Sequence, residues 1–163
     1  MLIRKAEQGD LQELLDIYNY EAVNSVANLD LNPRTLEEWQ TWFDHHNVEN
    51  HPLYVAEEDG RGAGYSCLSS YRDKEAFRST VELSIYVEKD FRNRGYATEL
   101  MAFIIDLAKA DERTHSVISV VTAGNEASCK LHDKFGFVNC GTIPEVGMKF
   151  GLYRDIVNYW LQV

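Results

Sequence analysis

Hydrophobic positions along this chain recur in two rhythms, and their alternation divides it into short strands and longer helices. Residues 2–6 are apolar enough for a first strand. Asp10 stands where it can cap a helix, and Leu11, Leu14, Leu15, Ile17, Tyr18 and Ala22 then recur at helical spacing to about Val26. The segment 28–33 interrupts that pattern. Thr35-Leu-Glu-Glu38 has the form of a capping box, and Leu36, Trp39, Trp42 and Phe43 supply the apolar side of a second helix reaching about His46. Residues 53–58 and 63–71, separated by Asp59-Gly-Arg-Gly62, predict a β-hairpin, followed by a charged loop over 72–78. Near the end, residues 117–122 (VISVVT) read as a short buried strand of a parallel or mixed sheet. A helix from Asn125 to about Lys134 follows, and the tail reads as two strands joined by a glycine-containing loop. With no repeat and no linker, the expectation is a single domain over 1–163.

The centre of the pattern is residues 80–110, TVELSIYVEKDFRNRGYATELMAFIIDLAKA. Val81, Ile85, Tyr86 and Val87 mark a strand, and Ala97, Leu100, Met101, Ile104, Ile105 and Ala108 mark a long amphipathic helix. Between them Gly95 permits a tight turn into the helix, whose first N–H groups have no partner within it. Those donors and the positive end of the helix dipole suit a phosphate. A bare turn with solvated arginines is the alternative. Inside the strand, period-2 alternation sets Glu82 with Ser84 and Tyr86, opposite Val81, Leu83, Ile85 and Val87.

Composition narrows the classes. The 163 residues are 45% hydrophobic, sufficient for a substantial core. The formal charge of −10 argues against nucleic acid, and any polyphosphate must be held by local donors. No apolar run approaches the roughly 18 residues needed to span a membrane, and MLIRKAEQGD turns polar too soon for a secretory signal. Cys67, Cys129 and Cys140 have no metal-ligand spacing and read as free thiols in a reducing cytoplasm. His45, His46 and His51 read as surface histidines, and no metal is expected.

Arg92-Asn-Arg-Gly95-Tyr-Ala97 after a strand resembles the acyl-CoA pyrophosphate loop of the GCN5-related N-acetyltransferase superfamily. With TVELSIYV, the Pro33–Trp39 segment, Asn125-x-x-Ser128-x-x-Leu131-His132-x-x-Phe135-Gly-Phe137 and Val146-Gly-Met-Lys-Phe-Gly151, the order resembles its phosphinothricin acetyltransferase-like branch. The resemblance implies an α/β (α+β) fold: a mixed, strongly twisted sheet flanked by helices, with acetyl-CoA where the central strand and its neighbour splay apart. It implies N-acetylation of the α-amino group of a small amino-acid-like substrate, with Glu82 as general base. A carboxylate enclosed among apolar residues has the raised pKa that such a base needs.

By the same resemblance, Ile85, Tyr86 and Val87 would pair with the pantetheine arm, and the Val87 N–H would polarise the thioester. Asn93, Arg94, Gly95, Tyr96, Ala97 and Thr98 would hold the pyrophosphate, and Asn125 and Ser128 would contact the cofactor. His132 stands as a proton donor to the leaving thiolate or as a structural histidine. Arg72, Lys74 or Arg78 would face the substrate's acid group, and Lys74 occupies a position where relatives carry Arg. The family also implies a homodimer, with residues 146–151 at the shared surface. A peptide or protein N-acetyltransferase and a non-catalytic acyl-CoA-binding regulatory domain are the other readings.

Overall fold

In the computed structural model, which describes residues 1–163, strands and helices follow the predicted order. The strands are β1 (Leu2–Lys5), β2 (Leu53–Glu58), β3 (Arg61–Ser70), β4 (Thr80–Val87), β5 (Ser116–Thr122), β6 (Val138–Lys149) and β7 (Leu152–Gln162). They form one seven-stranded sheet in the order β1-β2-β3-β4-β5-β7-β6. Helices α1 (Leu11–Asn24), α2 (Leu36–Asp44), α3 (Tyr96–Ala110) and α4 (Glu126–Lys134) flank it. Every neighbouring pair is antiparallel except β4 with β5.

Two tight turns set the hairpins. Asp59 and Gly60 have φ of 53° and 76°, and Phe150 and Gly151 have 55° and 73°. Two consecutive left-handed residues match the twist of the flanking strands. The first turn is therefore shorter than expected, because Arg61 and Gly62 already belong to β3. The capping box of α2 forms as predicted, with the Glu38 N–H donating to Thr35 Oγ1 at 3.2 Å and the Thr35 N–H to Glu38 Oε2 at 2.8 Å.

Other expectations change. Asp10 does not cap α1 with its side chain. Its carboxylate takes two bonds from Arg4, each 2.8 Å, and one from the Glu7 N–H. Leu36 is 49% exposed, because α2 leans on the sheet through Trp39 and the half-buried Trp42 and Phe43 instead. His46 is not a surface histidine but 6% exposed, wedged between α2 and β3.

The sheet separates two apolar layers. On one face Val81, Leu83 and Val117 pack with Met101, Ile104 and Ile105 of α3 and with Phe137 and Tyr159. On the other, Leu53, Val55, Tyr65 and Cys67 pack with Leu11, Leu14, Leu15 and Ile17 of α1 and Trp39 of α2. The alternation read in β4 is thus realised as two interiors.

Gly64 is required where β3 meets the end of β4. A Cβ there would lie 2.6 Å from the Tyr86 carbonyl oxygen and 3.1 Å from the Val87 Cα. Both obstacles are backbone, so Gly64→Ala should lower stability by about 1–3 kcal/mol through overpacking. Thermal unfolding followed by circular dichroism measures this; an unchanged Tm would show that the two strands can separate at no cost.

Candidate active site

Along its length β4 stays paired with β3, from Gly64↔Val87 to Ser70↔Val81. With β5 it shares only Thr80↔Ser116, Val81↔Val117 and Glu82↔Ile118. From there β5 is committed to β7, which it pairs from Ser116↔Gln162 to Thr122↔Ile156. The two strands part after Glu82, and Leu83 to Val87 have no strand on that side. A cleft of about 600 Å³ opens in the gap. Backbone groups left in such a position need an outside partner.

At the top of the gap the chain turns into α3. Asn93 and Gly95 have φ of 59° and 90°, the left-handed region that Asn and Gly tolerate best. The first N–H of this helix to bond backwards is that of Glu99, to the Gly95 carbonyl at 3.1 Å, and those of Asn93 to Thr98 find no backbone acceptor. Ile85, Tyr86, Val87, Asn93, Gly95, Tyr96, Ala97 and Thr98 all line the cleft, as do Asn125, Ser128 and His132 from α4.

Arg94 does not line it. Its guanidinium pairs with Glu58 at 2.5 Å and lies over the Phe91 and Tyr96 rings. The Tyr96 ring is buried edge-on against Phe91, so this residue offers the cleft chiefly its main chain. Arg92 does reach the cleft, where it is paired with Glu21, a buried carboxylate of α1 that also accepts the Ser25 hydroxyl. Glu21 carries its own signal in the sequence, an acid within the apolar stripe that includes Ile17, Tyr18 and Ala22.

Asn125 caps α4, its Oδ1 accepting the Ser128 N–H at 3.3 Å. His132 is buried, stacked on Tyr159 with ring centroids 4.9 Å apart. Its Nδ1 lies 2.7 Å from the Ser128 carbonyl and its Nε2 2.7 Å from Ser119 Oγ. A carbonyl only accepts, so Nδ1 carries the proton. Burial lowers the His132 pKa, which leaves Nε2 an acceptor from Ser119 at neutral pH.

Glu82 stands at the last paired position before the strands part, half-buried on the face that carries Tyr86. Burial alone raises its pKa. Beside it, burial pushes the Cys67 thiol up to about 12, and the charge of Glu82 adds to this. On that face the Tyr86 ring touches Tyr18 and Tyr65, each at 5.5 Å, while Trp39 and Trp42 stack at 4.1 Å. Trp39 belongs to the core on that face.

The loop preceding β4 brings three cations near its start, each in a different state. Arg72 lies over the rings of Tyr71 and Phe77, and Arg78 pairs with Glu75 at 3.3 Å. Lys74 is exposed and pairs with no carboxylate. No group of three His, Cys, Asp or Glu side chains is placed to hold a metal ion. No helix is long and apolar enough to cross a membrane.

Residues 3–157 match the acetyltransferase (GNAT) domain family. The L-methionine sulfoximine/L-methionine sulfone acetyltransferase of Pseudomonas aeruginosa is 37% identical over 155 residues, covering 94% of this chain and 90% of the relative. The phosphinothricin N-acetyltransferase of Streptomyces coelicolor is 36% identical over 160 residues, covering 96% and 93%. Among solved structures, a ribosomal-protein-alanine N-acetyltransferase from Brucella melitensis superposes with a TM-score of 0.95 at 36% identity, covering all of both chains. The acetyltransferase yncA of Salmonella typhimurium, solved with acetyl-CoA, gives 0.95 at 30% identity, covering 99% and 93%. Sequence and fold agree over nearly the whole length, and the chain belongs to the GNAT acetyltransferase family as an acetyl-CoA-dependent N-acetyltransferase.

Proposed function

We propose that this enzyme acetylates the α-amino group of a small amino-acid-like substrate by direct attack, with Glu82 as the general base. The substrates named for its relatives, methionine sulfoximine, methionine sulfone and phosphinothricin, set the class. The observation that carries the reading is Glu82 itself: a half-buried carboxylate with a raised pKa and no ion-pair partner, one residue short of the open strand edge. An amino acid is mostly ammonium at pH 7, so a group of raised proton affinity must take a proton before nitrogen can attack.

The cleft fits a thioester cofactor with a long amide arm and a pyrophosphate, since it joins an unpaired strand edge to a run of free N–H groups. Acetyl-CoA would supply the acetyl group as a thioester; as the C–N bond forms and the C–S bond breaks, the thiolate leaves and takes up the proton that the nitrogen sheds on becoming an amide. Ile85 and Val87 receive the amide arm as a strand would, while the main chain of Tyr86 faces β3, and the Val87 N–H polarises the carbonyl. Asn93 to Thr98 hold the pyrophosphate through the backbone. Arg94 contributes through its N–H rather than its guanidinium, which Glu58 occupies.

His132 carries no spare proton at neutral pH, so its part is to fix Ser119 and the α4 wall that also presents Asn125 and Ser128. The substrate's carboxylate falls to Lys74, the unpaired cation of the loop, with Arg72 beside it. The name of the Brucella relative favours one second reading, a peptide or ribosomal-protein N-terminus as the amine. Faster acetylation of peptide N-termini than of free amino acids would select it.

In this reading the working unit is a single domain over 1–163, acting in the cytoplasm as a homodimer; its three free thiols support the reducing compartment. The outer hairpin exposes Ile143, Val146, Met148, Phe150, Leu152 and Tyr153, a surface better suited to a second copy than to water. Light scattering should give twice the chain mass, and a monomer at micromolar concentration would remove the dimer.

Glu82→Gln should lower kcat by roughly 10²–10⁴ and leave acetyl-CoA affinity nearly unchanged. In the parent enzyme kcat/KM should fall as pH drops through the raised Glu82 pKa, because the protonated acid cannot accept; the variant should lose that limb. Full activity of the variant at pH 7 would end the base assignment. Gly95→Val should weaken acetyl-CoA binding with a near-native circular dichroism spectrum. Its Cβ meets open space within the protein, so the fold loses little beyond the strain of a φ of 90° while the phosphate loop is distorted. Calorimetric titration reads the loss, and unaltered affinity would refute the loop's role.

A further inference from the structure

A second buried histidine lies on the opposite face of the sheet from His132. His46 is 6% exposed, its Nδ1 2.7 Å from the Trp42 carbonyl and its Nε2 2.8 Å from Ser69 Oγ. Ser69 is the residue of β3 directly opposite Glu82 in the register. Facing side chains at such positions have Cβ atoms about 4.5–5.5 Å apart. The carbonyl of Trp42 can only accept, so Nδ1 bears the imidazole proton and Nε2 must accept from the Ser69 hydroxyl. That hydroxyl has one proton, and His46 takes it. The Cys67 thiol lies 3.9 Å from the same oxygen, where it can donate to one lone pair and leave the other free.

We infer that His46 and Ser69 are positioning residues: His46 draws the Ser69 proton away from Glu82, so the hydroxyl facing the base offers an acceptor and never a donor. A donor at that point would stabilise the carboxylate and weaken the base. An acceptor there instead receives an N–H of the incoming ammonium, or the proton of Glu82 once it has been transferred. The inference rests on Glu82 being the base and adds what keeps it basic.

The surrounding charges leave this balance undisturbed. From β3, Cys67 is a neutral thiol at working pH, and from β4 Tyr86 is a neutral phenol, both held so by burial. From α1, Tyr18 is neutral and bonded to Asp30, while Glu21 is paired with Arg92. The loop before β4 brings Arg72, Lys74 and Arg78 with Asp73 and Glu75. None of these displaces burial as the cause of the Glu82 shift. His46 itself is pushed down to about 4 by burial, opposed by the Trp42 carbonyl and assisted by His51 and His45, so it is neutral wherever the enzyme works.

Long-range proton–nitrogen NMR spectra of the unmodified enzyme at pH 7 test the arrangement without turnover. The Nδ1–H tautomer of His46 is expected, and the Nε2–H tautomer would overturn the proposal. The acid limb of kcat/KM against pH then tests the consequence. His46→Leu frees the Ser69 proton and should move that limb down by about one pH unit, the effect of one added donor on a carboxylate. Adding Ser69→Ala to it should restore the parent limb. Ser69→Ala alone should not raise the limb; a rise would mean that Ser69 donates to Glu82 in the parent, contrary to the proposal. Carbon-13 titration of the Glu82 carboxyl separates the two ideas. A carboxyl pKa unmoved by His46→Leu overturns the pairing, whereas a moved pKa with a stationary acid limb overturns Glu82 as the base.

Discussion

The parting of β4 from β5 is the constraint on which the site depends. A parallel ladder that ran to Val87 would satisfy the central strand and leave nothing to bind. β5 is instead held along its whole length by β7, while β4 is held along its whole length by β3. The halves of the sheet meet only over Thr80 to Glu82, and beyond that point the backbone groups of β4 that face away from β3 have no strand partner. Gly64 belongs to the same arrangement, since it lets β3 stay close to the strand end that β5 has left.

That opening gives the two faces of β4 different duties. Toward α3 and α4 the strand presents apolar side chains, and the ligand is received by backbone, with the free N–H groups from Asn93 to Thr98 continuing the edge. Toward α1 and α2 it presents Glu82, Ser84 and Tyr86 under a layer of aromatic rings, where burial governs proton affinity. Each face also contains a histidine bonded to the carbonyl four residues before it and to a serine of the sheet. The parallel is chemical: in both, a neutral imidazole consumes a hydroxyl proton beside the cleft or the carboxylate.

Much of this was legible in local patterns. The strand–loop–helix from Thr80 to Ala110, the capping box at Thr35 and the cap at Asn125 depend on residues within a few positions of one another and form as expected, and the turn at Asp59-Gly60 is only shorter than expected. What was not legible depends on partners far along the chain. His45 and His46 are adjacent and identical in kind, yet Ser69 on another strand engages only the second. Arg92 and Arg94 flank one asparagine, but Glu21 draws the first to the cleft and Glu58 draws the second away. Leu36 looked as apolar as Trp39 and is exposed, because the tilt of a short helix decides which position of its stripe reaches the sheet.

Lys149 has a consequence for how this molecule is made. Its buried ammonium, near the tip of the last hairpin, donates to the Glu21 and Asn28 carbonyls, across as many as 128 positions of the chain. The strand that pairs with β5 along its whole length likewise follows all the others in order. On a ribosome, therefore, α1, the central strand and the phosphate loop all emerge before the strands that complete the sheet. Until β7 arrives, the outer edge of β5 has no strand partner, and the end of α1 lacks its ammonium anchor. Such long-range closure is slow compared with helix and hairpin formation. A chain truncated before β7 would thus carry the whole loop motif while β5, beside the gap, kept an unpaired outer edge.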